Sequence, residues 1–220
     1  MKFIENFFKN FYTQYNSVME KVIGKIFPVW ITPNSITIFR AFMFLPVIIL
    51  LLLDYHWTSF IVFVISGYLD SIDGLLARHR KQETDFGAAL DALMDKIFFI
   101  CLLTPIVFLM NYEETDVLVV VLIFSSLVLI VPVEIWLAIV RWQDYLQIST
   151  DKTKKRLIKA GPAGKIKFSL ETCGIGAFTL AYPNANIYFS LLGVFFIILS
   201  APFAYRSLIT KLNARSSTTL

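Results

Sequence analysis

Long apolar runs alternate with short polar breaks along this chain, and the length of the runs sets the fold class. Six runs, residues 34–53, 57–78, 86–110, 117–141, 165–182 and 187–209, come close to or exceed the ~20 residues a helix needs to cross a bilayer. The pattern predicts an all-α, polytopic membrane protein with six transmembrane helices. The residues ahead of the first run read differently. Phe3, Ile4, Phe7, Phe8, Phe11, Tyr12, Tyr15, Val18, Met19, Val22, Ile23 and Ile26 recur at steps of three, four and one, with Lys9, Lys21 and Lys25 off the stripe. Such a stripe predicts an amphipathic juxtamembrane helix lying in the interface over residues 1–28, followed by the transmembrane domain over 29–220. The apolar residues there are scattered among Glu, Asn and Lys, so no cleaved signal peptide is expected.

The polar breaks differ in charge, and this predicts an orientation. Asp54, Tyr55 and His56, residues 111–116 and residues 183–186 contain no Lys or Arg. Arg78, Arg80 and Lys81, the basic stretch 152–159, Lys165 and Lys167, and Arg206, Lys211 and Arg215 fall toward the opposite side. By the positive-inside rule both termini face the cytoplasm, across an inner (plasma) membrane. Composition supports the same class. Of the 220 residues 57% are hydrophobic and 16% charged, with a mean hydropathy of +0.68, where soluble domains carry roughly a quarter charged. That excludes a disordered chain. A net charge of +4 could suggest nucleic acid, but on a membrane protein such residues set orientation and face anionic headgroups, so no nucleic-acid partner is expected. Cys101 and Cys173 lie in apolar stretches and read as small core residues.

Against this background four carboxylates stand out, because an ionised acid inside a span costs several kcal/mol and is a functional candidate by default. Asp70 and Asp73 are three residues apart in the second run, and Asp91 and Asp95 four apart in the third, so each pair shares one helical face. Asp73 lies five residues before Arg78 and Asp91 five after Phe86, about 7–8 Å from the helix ends at 1.5 Å per residue. A short hairpin between the two helices brings the four acids to one depth near the cytoplasmic surface. Without a matching set of cations they would repel unless a metal neutralised them. All-oxygen ligation suits Mg²⁺ or Mn²⁺ rather than zinc. Gly74 and Gly87 sit beside the acids, where a missing side chain allows close approach of a ligand or of a neighbouring helix. A proton or ion pathway would string its acids across the membrane instead of clustering them at one depth.

Asp70, Asp73, Gly74, Ala77, Arg78, Gly87, Asp91 and Asp95 reproduce the pattern D-x2-D-G-x2-A-R-x8-G-x3-D-x3-D. In this the chain resembles the CDP-alcohol phosphatidyltransferases. The resemblance implies six transmembrane helices, a juxtamembrane N-terminal helix and a polar cavity open to the cytoplasm. It also implies that Asp70, Asp73 and Asp91 bind one or two Mg²⁺ or Mn²⁺ ions holding the diphosphate of a CDP-linked lipid, with Asp95 as general base near the second ion. Gly74, Ala77, Arg78, Thr84 and Gly87 would contact the cytidine diphosphate part, and Thr32, Pro33, Asn34, Ser35 and Thr37 would close over it. CDP-diacylglycerol and a small phosphorylated alcohol are then the expected substrates, the lipid bilayer the surroundings and a homodimer the expected assembly. Such chemistry needs no nucleophilic Ser, Cys or His.

The acceptor must be read outside the motif. Glu134 and Arg141 lie seven apart on one face of the fourth run, and Gly164, Lys165, Lys167 and Glu171 open the fifth. Basic clusters favour phosphate-bearing substrates, although Lys165, Lys167 and Arg141 also suit membrane anchoring. These spacings resemble one branch of the family, the phosphatidylglycerophosphate synthases, with R-E-x6-R and G-K-x-K-T-x2-Q. Here Val133, Phe168 and Glu171 replace the first Arg, the Thr and the Gln. Glycerol 3-phosphate is the first expectation, while inositol phosphate, serine and choline stay open. A transporter or an inactive scaffold are the expectations from other classes, but Arg40 is expected near the inner surface, little charge reaches the outer half of the spans, and all four aspartates are kept.

Overall fold

The computed structural model describes residues 27–28, 30–150 and 162–216, and among these it is all-helical with no strand. The expected interfacial helix over 1–28 and the basic stretch 152–159 lie outside the described residues. Seven helices follow in order: α1 (Pro33–Phe42), α2 (Phe44–Leu52), α3 (His56–His79), α4 (Asp85–Leu109), α5 (Val117–Thr150), α6 (Pro162–Ala181) and α7 (Ile187–Ser216). Among the described residues five stretches are long and apolar enough to cross a membrane: Pro33–Leu52, His56–His79, Asp85–Leu109, Val117–Leu146 and Ile187–Asn213. The sixth expected crossing, α6, has 20 residues but carries Lys165, Lys167 and Glu171 in its first half. By length and composition alone it does not join the five.

The first run folds as two helices. Pro46 has no N–H to offer the carbonyl of Phe42, and at Met43 the bonding slips to the residue three back, Met43 N–H to Arg40 O at 3.0 Å. Thr32 caps α1, its Oγ1 accepting from Ser35 N at 3.2 Å. The buried face of α1 is Pro33, Ile36, Thr37, Arg40 and Ala41, a helical stripe in which two polar side chains stand where apolar ones are usual. α2 instead joins the apolar core through Val47 and Leu51, and Ser59 of α3 donates to Val47 O at 2.8 Å.

The main core lies among α4 to α7. Leu102, Leu103 and Ile106 of α4, Ile123 and Ile130 of α5, Ile175 and Phe178 of α6 and Ile197 of α7 are all buried within it. α6 packs most extensively on α7. That contact depends on small residues, because a Cβ on Gly174 would stand 2.8 Å from Ile197 Cδ1 and one on Gly193 3.0 Å from the Phe178 ring. Outward faces carry exposed Val117, Leu118, Val121, Val128 and Phe195, as a bilayer-covered surface requires. Cys101 is half-buried, but Cys173 is exposed; it points off the packed face of α6, which corrects its reading as a core residue.

The α3–α4 hairpin is closed by local chemistry. Lys81 takes a positive φ of 54°, its N–H bonds Arg78 O at 3.1 Å and the next, Gln82 N–H, bonds Ala77 O at 2.9 Å. This paired ending usually takes a glycine at the left-handed position. Three residues later Thr84 caps α4 by accepting from Gly87 N at 2.9 Å. Arg80 between them donates to Ile31 O and Phe27 O, both at 2.6 Å, and to Pro28 O at 3.0 Å. The hairpin and the lead-in to α1 are thereby held as one unit.

Candidate active site

Because the hairpin fixes α3 against α4, the motif acids face each other. Carboxylate oxygens of Asp70, Asp91 and Asp95 all lie within 4.8 Å of one another. Asp73 turns to the other side, where its Oδ2 accepts from Thr37 Oγ1 at 2.7 Å. The expectation of a shared depth thus holds for three of the acids as a cluster, with the fourth beside them.

The acids are not without a cation. Arg40 of α1, only 1% exposed, brings Nη2 to 3.0 Å from Asp70 Oδ1, 3.2 Å from Asp91 Oδ1 and 2.6 Å from Asp95 Oδ1. This corrects the expectation that the acids meet without a matching cation. A signal existed in the sequence: Arg40 stands three residues after Thr37 on the buried stripe of α1. Four carboxylates against one guanidinium still leave an excess of negative charge. The donors are hard oxygens converging on one point, so the residues present fit a divalent cation such as Mg²⁺ or Mn²⁺.

A cavity of about 170 Å³ opens beside the acids, with Asp73 and Asp91 in its wall. Pro33, Asn34 and Thr37 line it from α1, Gly74, Ala77 and Arg78 from α3, and Thr84, Gly87 and Ala88 from the start of α4, with Gln82 and Glu83 from the hairpin. The motif residues other than Asp70 and Asp95, and most of the segment expected to close over a CDP group, therefore meet at one cavity. Thr32 and Ser35 are not among its lining residues and bond to each other at 2.7 Å in the α1 cap. Gln82, Glu83 and Ala88 carried no motif signal.

Of the residues singled out for the acceptor, Glu134 and Lys167 come together, in a buried ion-pair set. Glu134 is fully buried and lies between two lysines, 2.7 Å from Lys96 Nζ and in contact with Lys167 Nζ. Lys167 also pairs with Glu171 at 3.1 Å. Two acids and two bases in a low-dielectric interior balance each other; neither Lys96 nor Glu171 was read from the sequence as part of such a set. Arg141 lines a small cavity with Ala88, Ala89, Ala92, Asp144 and Lys211, where Lys211 pairs with Asp144 at 3.1 Å. Lys165 is exposed. His79, beside the motif, is exposed as well.

The sequence profile of the family described as CDP-alcohol phosphatidyltransferase matches residues 30–204. Several curated bacterial proteins named CDP-diacylglycerol--glycerol-3-phosphate 3-phosphatidyltransferase are similar to this chain. The protein from Pseudomonas fluorescens is 40% identical over 68 residues, 30% of this chain and 35% of its own length. That from Haemophilus influenzae is 40% identical over 78 residues, 34% of this chain and 42% of its own length. The one from Wigglesworthia glossinidia brevipalpis is 26% identical over 180 residues, 80% of this chain and 90% of its own length. In the first matches the chain thus spans about a third to two fifths of the length of the curated relatives. No solved structure matches. A profile that covers most of the chain, over a motif that the fold turns into one acidic site, makes the protein a member of the CDP-alcohol phosphatidyltransferase family.

Proposed function

We propose that the protein transfers a phosphatidyl group from CDP-diacylglycerol to a hydroxyl of glycerol 3-phosphate, giving phosphatidylglycerophosphate and CMP. The observation that carries this reading is the convergence of Asp70, Asp91 and Asp95 beside a cavity walled by Asp73, Gly74, Arg78 and Gly87. Asp70, Asp73 and Asp91 would hold one or two Mg²⁺ or Mn²⁺ ions. When bound, such ions polarise the diphosphate and neutralise the charge on the departing CMP. Gly74 and Gly87 leave room for the diphosphate, and Arg78 offers it a charge-assisted hydrogen bond. Asp95 is engaged by Arg40 through Oδ1 and offers Oδ2 to the acceptor hydroxyl. As the acceptor oxygen bonds to phosphorus and the bond to CMP breaks, Asp95 takes the hydroxyl proton.

Of the cations singled out for the acceptor, Arg141 and Lys165 are outside the buried set and are offered to an acceptor phosphate. An acceptor without a phosphate is the second reading, favoured because Lys167 is tied to Glu134 and Glu171. In the membrane we take α6 as a sixth crossing, with Lys167 and Glu171 of its first half facing the bundle, both termini and the cavity toward the cytoplasm across the inner membrane, and a homodimer as the assembly. The test is CMP release by the purified protein from CDP-diacylglycerol, with glycerol 3-phosphate, inositol phosphate, serine and choline added one at a time. Release that depends on glycerol 3-phosphate supports the reading; release with another alcohol alone would move the acceptor, and none with any alcohol would overturn the activity.

A further inference from the structure

In the chemistry just described Arg40 does no more than engage Asp95, yet its Nη2 stands amid three of the acids. One nitrogen carries two N–H bonds, but three carboxylate oxygens lie 2.6–3.2 Å from it. The contacts to Asp91 and Asp95 have hydrogen-bond geometry, while Asp70 is held by charge at 3.0 Å. The atom thus occupies the point nearest to all three oxygens, where a coordinated cation would also lie. A Mg²⁺ ion sits about 2.1 Å from its oxygens, so ion and guanidinium nitrogen could not share that point without close contact between like charges. Nε of the same guanidinium is buried with no hydrogen-bond partner.

We propose that Arg40 is a positioning residue that holds Asp70, Asp91 and Asp95 in register and is displaced from their centre when the divalent cation enters. The inference rests on the metal-dependent reading above and adds a competition between two cations, one of them built into the chain. Removing the side chain then has two opposite effects. The cluster loses the guanidinium that stands against three of its oxygens when no ion is bound, and the ion no longer has to displace a resident group, which otherwise lowers its apparent affinity by the fraction of time the site is blocked.

The experiment measures Mn²⁺ binding to the purified full chain in nanodiscs by electron paramagnetic resonance, without nucleotide, for wild type, Arg40→Ala, Arg40→Lys and Asp91→Asn. Arg40→Ala should bind Mn²⁺ about tenfold more tightly than wild type or better, and Arg40→Lys should fall between them. Millimolar guanidinium chloride should weaken Mn²⁺ binding to Arg40→Ala, whereas equal potassium chloride should not, and wild type should respond to neither. Thermal melting in EDTA should show Arg40→Ala less stable than wild type, with the gap closing in Mn²⁺. If Arg40→Ala cannot be kept folded without the ion, Arg40→Lys carries the same test. Unchanged or weaker Mn²⁺ binding, or no competition by guanidinium, overturns the inference while leaving the metal reading intact. If wild type itself binds no Mn²⁺, or Asp91→Asn binds as well as wild type, the metal reading falls and the inference with it.

Discussion

Asn34 and Gly87 approach so closely across the cavity that a Cβ on Gly87 would stand 2.9 Å from Asn34 Oδ1, and 3.0 Å from the capping oxygen of Thr84. Gly74, the other motif glycine, is different: its Cβ would meet only Arg78 Nη1, at an ordinary 3.6 Å. Gly87→Ala should therefore strain the α1–α4 contact and the cap, costing about 1–3 kcal/mol and lowering the melting temperature. Gly74→Ala should melt like wild type but raise KM for CDP-diacylglycerol, because its methyl enters the cavity alone. Equal effects of both changes on stability would show that the two glycines do one job.

The cation requirement can be read through the acids. Asp70→Asn, Asp73→Asn and Asp91→Asn should each abolish turnover, and activity should vanish in excess EDTA and return with Mg²⁺ or Mn²⁺. Thr37→Val tests a finer point, since Thr37 supplies the 2.7 Å hydrogen bond to Asp73. Loss of a hydrogen bond to a charged group is worth roughly 1.5–3 kcal/mol, so kcat/KM should fall about ten- to a hundredfold. Full activity in EDTA would remove the cation from the mechanism.

Asp95 should separate from its neighbours. If it accepts the proton, Asp95→Asn should cut kcat strongly while CDP-diacylglycerol binding, followed by calorimetry, stays close to wild type. A loss of binding as large as that of Asp91→Asn would leave Asp95 a ligand only.

Lys165 and Lys167 are two residues apart and look alike in the sequence, but one is exposed and the other lies between Glu134 and Glu171. Lys165→Ala and Arg141→Ala should raise KM for glycerol 3-phosphate with little change in melting temperature. Lys167→Ala should leave two buried acids short of a partner, a loss of about 3–5 kcal/mol that a melting curve would show before any assay. If Lys167→Ala melted like wild type and altered only KM, the buried set would be part of the acceptor pocket after all.

Orientation is testable by labelling. Single cysteines at Asn111 and Asn184, in turns that contain no Lys or Arg, should react with an impermeant reagent from outside, and one at Glu83 beside the cavity should not. Cys101 and Cys173 must be replaced first, Cys173 in particular because it is exposed. The reverse pattern would put the cavity on the outer side.

What could be read from the sequence was the geometry internal to one helix or one hairpin. Asp70 with Asp73 and Asp91 with Asp95 share faces by spacing alone, and the short connection between α3 and α4 makes their meeting nearly unavoidable. The glycines follow by the same route. Arg40 escaped that reasoning because its partners lie 30 to 55 residues away, and nothing in the spacing of α1 says which neighbour its buried stripe will touch. Lys96, Glu134, Lys167 and Glu171 escaped it for a related reason: three helices contribute to the set, and each charge alone resembles an anchor or a ligand. The low hydropathy of the first half of α6 is the trace these buried ion pairs leave in the sequence.

The interruption at Met43 divides labour along the first run. Upstream of it, α1 carries Thr37 and Arg40, which touch the acids, and Asn34, which lines the cavity. Downstream, α2 is seated in the apolar core by Val47 and Leu51. Pro46 leaves the Phe42 carbonyl without its usual donor, so the break between the two parts falls at one joint. The joint thus separates the part of the first run that meets the acids from the part that sits in the apolar core, and each part can be shaped by its own neighbours.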